Sequence, residues 1–100
     1  MFTHLLSIQA GAYQNSLFVA AAGKSGWEDG HHMIGGSAIA APSGELVAKA
    51  SGEGDEVIVY RVDLSQAAPY REGVFNFAEH RRPDEYRILV DRKGRGAPLD

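Results

Sequence analysis

The sequence of residues 36–48 is GSAIAAPSGELVA, which has the form of a β-hairpin. Two runs of mostly apolar residues, 36–41 and 45–50, stand on either side of the tripeptide PSG at 42–44. Proline presets the backbone of a turn and glycine tolerates the left-handed conformation, so this tripeptide predicts a tight reversal. We expect two antiparallel strands here, with the rest of the chain arranged around them.

Upstream of the hairpin, the sequence predicts a helix from His4 to about residue 14. Its apolar residues recur at helical spacing: Leu5, Ile8, Ala12 and Tyr13. The Thr3 hydroxyl is expected to cap the first turn. Gly11 lies inside the pattern and costs up to about 1 kcal/mol relative to alanine, which is tolerable where another backbone approaches closely.

Two segments separate this helix from the hairpin. The run Leu17–Ala22 is continuously apolar, which is typical of a strand covered on both faces. Residues 23–36, GKSGWEDGHHMIGG, are rich in glycine and are expected to form a loop.

Downstream of the hairpin, residues 56–62, EVIVYRV, are the best strand candidate by β-propensity. Asp63 and Gln66 have the spacing of a capping box, so a helical turn should start at Leu64. Pro69 lacks a backbone donor and should keep that helix short or kinked.

The C-terminal region has a different character, with aromatic residues interleaved among charges. Pro83 followed by two acidic residues predicts a short helical turn. Residues 91–100, DRKGRGAPLD, are polar and rich in glycine, and we expect them to be a flexible tail or to wrap a partner. With residues 1–90 as the folded part, the order of elements gives about four strands with helices at either end, which is an α+β fold.

Composition excludes several classes of function. The chain has 100 residues, with 10 Lys and Arg against 13 Asp and Glu, and its net charge of −3 offers no attraction to nucleic acid or to an anionic membrane. It has no cysteine, which excludes disulfides, thiolate metal sites and a cysteine nucleophile within these residues. The first residues, MFTHLLSIQAG, lack the features of a secretory signal, so a cytoplasmic location is expected.

Two motifs suggest a ligand site, and neither is complete. AAGKS at 21–25 ends like a phosphate-binding loop, but Phe18 stands where that motif needs a glycine, and no helix is expected to follow. His31 and His32 follow two acidic residues, yet adjacent histidines of an extended segment point to opposite sides. We expect a solvated lysine at Lys24 and polar loop residues, with no metal site.

Nucleophile and anion sites are also incomplete. Ser37 lies in GGSAI, which lacks the closing glycine of a nucleophile elbow, and is expected to be a small strand residue packed against a neighbour. Arg81 and Arg82 could bind phosphate or carboxylate through their planar forks. They lie among acidic and aromatic residues, which favours an interface or an intrachain ion pair.

Over residues 4–90, the pattern resembles the carbon–nitrogen hydrolase (nitrilase) superfamily. Residues 4–15, HLLSIQAGAYQN, with the apolar strand after them, resemble a helix and a strand of that family. The hairpin at 36–48 is similar to its G-x-S-x-I and P-x-G pattern, and residues 55–64 are similar to the strand and Asp-Leu turn that follow. The tail FNFAEHR at 75–81 looks like the branch that hydrolyses N-carbamoyl-D-amino acids, as do Pro83 and Tyr86.

The resemblance implies an α-β-β-α sandwich and a Glu-Lys-Cys triad, without a cofactor. In that family the cysteine attacks an amide, carbamoyl or nitrile carbon, the glutamate moves protons and the lysine stabilises the oxyanion. All three lie N-terminal to the part matched here, and Lys24, Lys49 and Lys93 do not occupy the lysine position. No residue of this chain is therefore assigned a catalytic role.

His4 is the one residue for which the resemblance implies substrate binding, because it matches a histidine close to the pocket in the carbamoylase branch. The alternative is a local hydrogen bond at the helix N-terminus.

The leading hypothesis is the C-terminal third of a carbon–nitrogen hydrolase, catalytically incomplete alone, whose N-carbamoyl or amide substrate is an N-carbamoyl-D-amino acid. The intact enzyme is expected to form homo-oligomers, with Met1 an internal methionine or an artificial start. A non-enzymatic assembly module is the main alternative. A small independent enzyme using histidine and a carboxylate is a third.

Overall fold

The computed structural model describes residues 1–94 and the backbone of residues 97–98. Helices and strands both occur, as the predicted α+β class requires. The helices are α1 (Phe2–Asn15), α2 (Ala68–Arg71), α3 (Phe77–His80) and α4 (Arg87–Asp91), with 3₁₀ turns at Leu64–Ala67 and Pro83–Glu85. The strands are β1 (Val19–Ala21), β2 (Ser25–Glu28), β3 (His31–Ile34), β4 (Ala38–Ala40), β5 (Leu46–Lys49), β6 (Arg92–Lys93) and β7 (Ala97–Pro98). The expected number of about four strands is wrong, since the described residues contain seven short ones.

Helix α1 confirms the predicted helix and extends it at both ends. The Thr3 cap is wrong, because the helix begins at Phe2 and Met1 takes the capping position without a side-chain bond. The Thr3 carbonyl instead accepts a hydrogen bond from the Ser7 hydroxyl at 2.8 Å. The helix ends at Ser16, whose φ of 55° is left-handed. Within the described residues, no helix has the length and apolarity needed to cross a bilayer.

The predicted hairpin is confirmed as the antiparallel pair β4 and β5, and β1 pairs with the other edge of β4. In its turn, the Gly44 N–H donates to the Ala41 carbonyl at 2.8 Å, and Gly44 has a φ of 87° that favours glycine. Helix α1 contacts β1 and β4. The fully buried apolar residues of these elements are all alanines: Ala12, Ala38 and Ala40.

Strand β1 is shorter than the predicted run Leu17–Ala22, and its cover is one-sided. Ala20 is exposed, whereas Val19 and Ala21 are half-buried. Within the described residues nothing covers the second face, so the prediction of a strand enclosed on both faces is wrong for this part of the chain.

The loop predicted over residues 23–36 is wrong, because β2 and β3 form an antiparallel hairpin there. Glu28 is opposite His31, which leaves Asp29 and Gly30 as a two-residue turn with φ values of 50° and 80°. Positive φ at both positions is the geometry that an Asp-Gly pair adopts between antiparallel strands. Gly30 of this glycine-rich segment thus lies in a hairpin turn.

The strand predicted at residues 56–62 is also wrong within the described part of the chain, where this segment belongs to neither helix nor strand. Val57 and Val59 are 86% and 83% exposed. A β-strand needs a neighbour to bond with, and high β-propensity cannot supply one.

The helical turn predicted at Leu64 is confirmed, and Asp63 caps it. The Asp63 carboxylate accepts the Ser65 hydroxyl at 2.6 Å and the Ser65 N–H at 3.0 Å. These two bonds, that of the hydroxyl foremost, favour the charged carboxylate and hold the pKa of Asp63 below its usual value. The short helix α2 follows, and Pro69 lies in its first turn, where its missing N–H is not needed.

The C-terminal elements are short. Pro83 opens a 3₁₀ turn, as predicted, and the Tyr86 hydroxyl accepts the backbone N–H of Arg82 at 3.1 Å. Strand β6 pairs with β7 inside the region 91–100, for which we predicted flexibility. Residues 95–96 and 99–100 lie outside the described residues, so the flexible tail stays a prediction.

The chain encloses little apolar volume. Its radius of gyration is 18.2 Å, whereas a compact domain of 100 residues has about 13 Å. Its accessible surface is 7778 Å², against about 5,500 Å² for a compact monomer of this mass. No side chain larger than that of Pro42 is fully buried among the described residues.

Candidate functional site

His4 connects the first turn of α1 to the loop between β3 and β4. Its Nε2 lies 3.0 Å from the carbonyl oxygen of Gly36. Because a carbonyl only accepts, Nε2 carries the proton, and Nδ1 of the neutral ring remains an acceptor. The bond spans 32 residues, so the alternative of a local hydrogen bond is wrong. Substrate binding by His4 stays a prediction.

The position of Gly36 favours glycine. Its φ is 76°, and a Cβ there would lie 2.7 Å from Sδ of Met1 and 3.2 Å from Cδ2 of His4. The positive φ therefore favours glycine beside the imidazole ring, and a Cβ would also displace the flexible end of the Met1 side chain.

A second set of bonds, the Ser37 clasp, joins Ser37 to Gly23. The Ser37 hydroxyl oxygen accepts the Gly23 N–H at 2.8 Å and lies 3.3 Å from the Gly23 carbonyl, to which it donates. Next to it, the Gly35 N–H donates to the Lys24 carbonyl at 2.9 Å. The segment after β1 is thus held against the loop before β4. Ser37 packs on a neighbour, as predicted, and its hydroxyl is bonded to backbone.

A cleft of about 340 Å³ opens beside this clasp, between the segment after β1, the loop before β4 and residues 50–56. Its charged and hydroxyl side chains are those of Lys24, Ser25, Ser37, Asp55 and Glu56. Gly36 lies in its wall, whereas His4 is not among its lining residues. His4 is therefore bonded to a residue of the cleft wall but does not itself line the cleft.

The charged groups of the cleft are largely paired. Lys24 forms an ion pair with Glu28 while its side chain stays 65% exposed, so the predicted solvated lysine is confirmed. The Glu56 carboxylate accepts the backbone N–H of Ser51 at 2.9 Å. Ser25 begins a strand, which removes the helix N-terminus that a phosphate-binding loop needs.

The two adjacent histidines lie on β3. His32 stacks on Trp27 with ring centroids 4.9 Å apart, and its Nε2 lies 2.7 Å from Oε1 of Glu53. His31, on the opposite side of the strand, is exposed. In the part of the chain that the structure describes, no group of three or more His, Cys, Asp or Glu side chains is placed to hold a metal ion.

Arg81 and Arg82 form no ion pair with another residue in the range 1–94. Arg82 bonds through its backbone: its N–H donates to the Tyr86 hydroxyl and its carbonyl accepts the Glu85 N–H at 2.9 Å. The predicted intrachain ion pair is therefore wrong for the described residues, and the predicted interface stays a prediction.

Sequence reasoning missed the Ser37 clasp and the acceptor role of Gly36. Both depend on backbones that meet across 14 and 32 residues of chain. The available signal was the concentration of glycine at 23 and 35–36, since neighbouring glycines far from a turn mark places where two backbones come close.

Comparison with known proteins shows similarity to one family. Residues 1–72 match the model of the carbon–nitrogen hydrolase family. A probable nitrilase of Schizosaccharomyces pombe is 34% identical over 85 residues, which are 85% of this chain and 31% of that protein. N-carbamoylputrescine amidases of Arabidopsis thaliana and Oryza sativa are 40% and 38% identical over 64 and 62 residues, 62% of this chain and 20% of each relative.

A solved structure agrees. A crystal structure of a carbon–nitrogen hydrolase from Helicobacter pylori G27 superposes with a TM-score of 0.70 and 28% identity, over 84% of this chain and 31% of the other. The chain thus spans between a fifth and a third of the length of the proteins it matches.

Proposed function

The chain belongs to the carbon–nitrogen hydrolase family, and from that premise we propose that it forms the C-terminal part of a catalytic unit that hydrolyses N-carbamoyl compounds. The observation that carries this proposal is the match of residues 1–72 to the family in a chain without a cysteine. Since the family resemblance implies a cysteine nucleophile, the reacting groups come from outside these 100 residues. The segment supplies sheet strands and one wall of the pocket to a completed α-β-β-α sandwich.

The reaction consumes one water and yields an amine, ammonia and carbon dioxide. The cysteine thiolate adds to the carbamoyl carbon, the lysine stabilises the oxyanion and the glutamate passes the proton to the departing nitrogen. That nitrogen leaves as ammonia, water then releases the remaining group from sulfur as a carbamic acid, and the carbamic acid decomposes to the amine and carbon dioxide. In this chemistry the present chain binds and orients the substrate.

His4 is the substrate-binding residue of this proposal. Because its Nε2 donates to the Gly36 carbonyl, Nδ1 is the ring nitrogen that can accept an N–H of the ureido group. Gln9 provides a matched control, because its side-chain amide donates from the same helix to the Gly44 carbonyl at 2.9 Å. Each alanine variant loses one helix-to-glycine bond, and only His4→Ala removes the ureido acceptor.

We expect His4→Ala to raise KM about tenfold, the equivalent of about 1.4 kcal/mol, while Gln9→Ala leaves KM within a factor of two. The measurement is steady-state ammonia release by the polypeptide as its source expresses it. Equal KM values in the two variants would remove His4 from the binding site and leave it a structural residue.

The substrate we propose is an N-carbamoyl-D-amino acid, which the resemblance of FNFAEHR at 75–81 supports. Two of the relatives are named for N-carbamoylputrescine, which ends in a cationic amine where an amino acid carries a carboxylate. Ammonia release from N-carbamoyl-D-alanine, N-carbamoyl-L-alanine and N-carbamoylputrescine tests the choice. Turnover of the putrescine compound alone would overturn the D-amino acid and keep the carbamoyl chemistry.

A non-enzymatic assembly module is the second candidate, favoured by the large accessible surface of the chain. The intact mass of the endogenous protein, captured through residues 79–93, separates the two. A mass near three times 10.8 kDa supports a catalytic unit in one polypeptide. A mass of 10.8 kDa supports a chain that docks on other subunits.

We also propose that the assembled protein is a cytoplasmic homo-oligomer. Ile88, Leu89 and Val90 of α4 are 61–75% exposed and directly follow Arg87 in the sequence. The buried core of a subunit interface is apolar, and arginine is enriched at interfaces. Sedimentation of the native protein and fractionation of its cells test the two statements.

A further inference from the structure

The segment 50–56 forms one side of the cleft beside the Ser37 clasp and is held by few bonds. Within the described part of the chain, none of the backbone groups of residues 52–55 makes a hydrogen bond. The Glu56 carboxylate accepts the Ser51 N–H, but this bond joins two residues of the segment to each other. Contacts of side chains therefore decide how firmly the middle of the segment lies against the rest of the chain.

One side-chain contact ties the middle of this segment to the β2–β3 hairpin. Nε2 of His32 lies 2.7 Å from Oε1 of Glu53, and because a carboxylate only accepts, Nε2 donates. The same imidazole stacks on the indole of Trp27, with the two ring planes 23° apart. The side chains of His32 and Glu53 are 44% and 64% exposed, so protons of the solvent reach the contact freely.

We propose that His32 is a pH-dependent latch, which in its protonated form holds the segment 50–56 against the β2–β3 hairpin and releases it as the pH rises. An imidazole changes its charge between pH 5 and 8. Its hydrogen bond to a carboxylate is stronger when the ring is charged, and a cation is attracted to the face of an indole. Since the segment bounds the cleft, the opening of the cleft follows the charge of His32.

This latch goes beyond the proposed function and does not depend on it, because the hairpin, the segment and the cleft all belong to the present chain. Further charged groups lie on the elements that pack at the contact: Lys24, Glu28, Asp29 and His31 in or beside the hairpin, Lys49 in β5, Asp55 and Glu56 in the segment, and the amino group of Met1. Lysine and carboxylate side chains ordinarily keep one charge state between pH 5.5 and 8.0, whereas imidazoles and α-amino groups titrate in or near that range. An effect of His31 or Met1 therefore has to be separated from that of His32.

The test is cleavage after Glu53 by a glutamate-specific protease, in the protein as its source expresses it, at pH 5.5 and 8.0. Cleavage requires the segment to leave the hairpin, so its rate follows the fraction of open molecules. Each rate is divided by the rate for the free peptide 48–58 at the same pH, which removes the pH dependence of the protease. Exposed ion pairs and exposed cation–π contacts each change an equilibrium by a few-fold, so we expect the relative rate to be about fivefold lower at pH 5.5.

His32→Gln is the decisive variant, because its amide can donate to Glu53 but does not titrate. We expect its relative rates at the two pH values to agree within about a factor of two, whereas His31→Gln keeps the fivefold ratio of the parent. Cleavage after Glu72, which directly follows α2, is the internal control for general unfolding and should keep one relative rate. Equal relative rates at Glu53 in the unaltered protein, a ratio that survives His32→Gln, or the same ratio at Glu72 would overturn the proposal.

Discussion

Replacing Gly23 with alanine should cost about 2–3 kcal/mol of unfolding free energy. The new Cβ would overlap the Gly35 carbonyl oxygen and lie 2.9 Å from its carbonyl carbon, and the two backbones would have to separate by about 1 Å. That shift breaks the two bonds of the Ser37 clasp and the bond from Gly35 to Lys24, each worth about 0.5–1.5 kcal/mol. The alanine also lowers the conformational entropy of the unfolded chain, which offsets about 0.4–1 kcal/mol of this loss.

Gly11 gives the matched control, because a Cβ there meets no atom within 4 Å. Gly11→Ala should therefore stabilise the protein by up to about 1 kcal/mol through helix propensity. Urea unfolding, followed by the fluorescence of Trp27, measures both variants in the native polypeptide. A Gly23→Ala protein within about 0.5 kcal/mol of the parent would refute the close approach of the two backbones. A destabilised Gly11→Ala protein would show that another element covers α1 at this point.

Three further changes follow from single contacts. Ser37→Ala should cost about 1–2 kcal/mol of unfolding free energy in the same urea assay, because Gly23 loses both hydroxyl bonds. Gly30→Ala should cost about 1 kcal/mol of unfolding free energy, because alanine is strained at a φ of 80°. Hydrogen exchange should then show fewer protected amides in the β2–β3 hairpin. The Asp63 carboxylate caps the turn at Leu64, and its pKa is depressed. The cap should therefore be intact above the usual value of 3.8 and be lost as the pH falls through the lower folded-state pKa. The NMR shift of the Ser65 amide should follow this titration, and Asp63→Asn should abolish that pH dependence.

Elements encoded by neighbouring residues were predictable from the sequence. The turn at Pro42–Gly44 and the helix from His4 follow from turn chemistry and a 3.6-residue repeat, both local properties. The β2–β3 hairpin was equally local, because an Asp-Gly pair such as Asp29-Gly30 is typical of a two-residue hairpin turn. The high glycine content of the segment favoured a loop instead. Family resemblance singled out His4, whereas its bond to Gly36 and the Ser37 clasp join distant parts of the chain that no local pattern predicts.

The segment 56–62 shows why a strong local preference was not enough. Its valines favour a strand, but the backbone bonds that make a strand belong to a neighbour, and none of the described residues provides one. A strong local preference therefore predicts a strand only where the surrounding fold supplies a neighbour.

Burial within the chain follows the same logic. The fully buried apolar residues near α1 and its sheet are the small ones, Ala12, Ala38 and Ala40, while Val57, Val59 and Leu89 are at least 75% exposed. Hydrophobic free energy scales with buried apolar area, so burial of the three alanines stabilises the fold little. Most of the hydrophobic stabilisation available to this sequence would come from burying its larger side chains. In the catalytic unit that we propose, further protein covers these side chains and that stabilisation is realised there. On that proposal the stability of this segment depends on the assembly, and substitutions at the exposed valines should destabilise it through surfaces that this chain alone leaves in water.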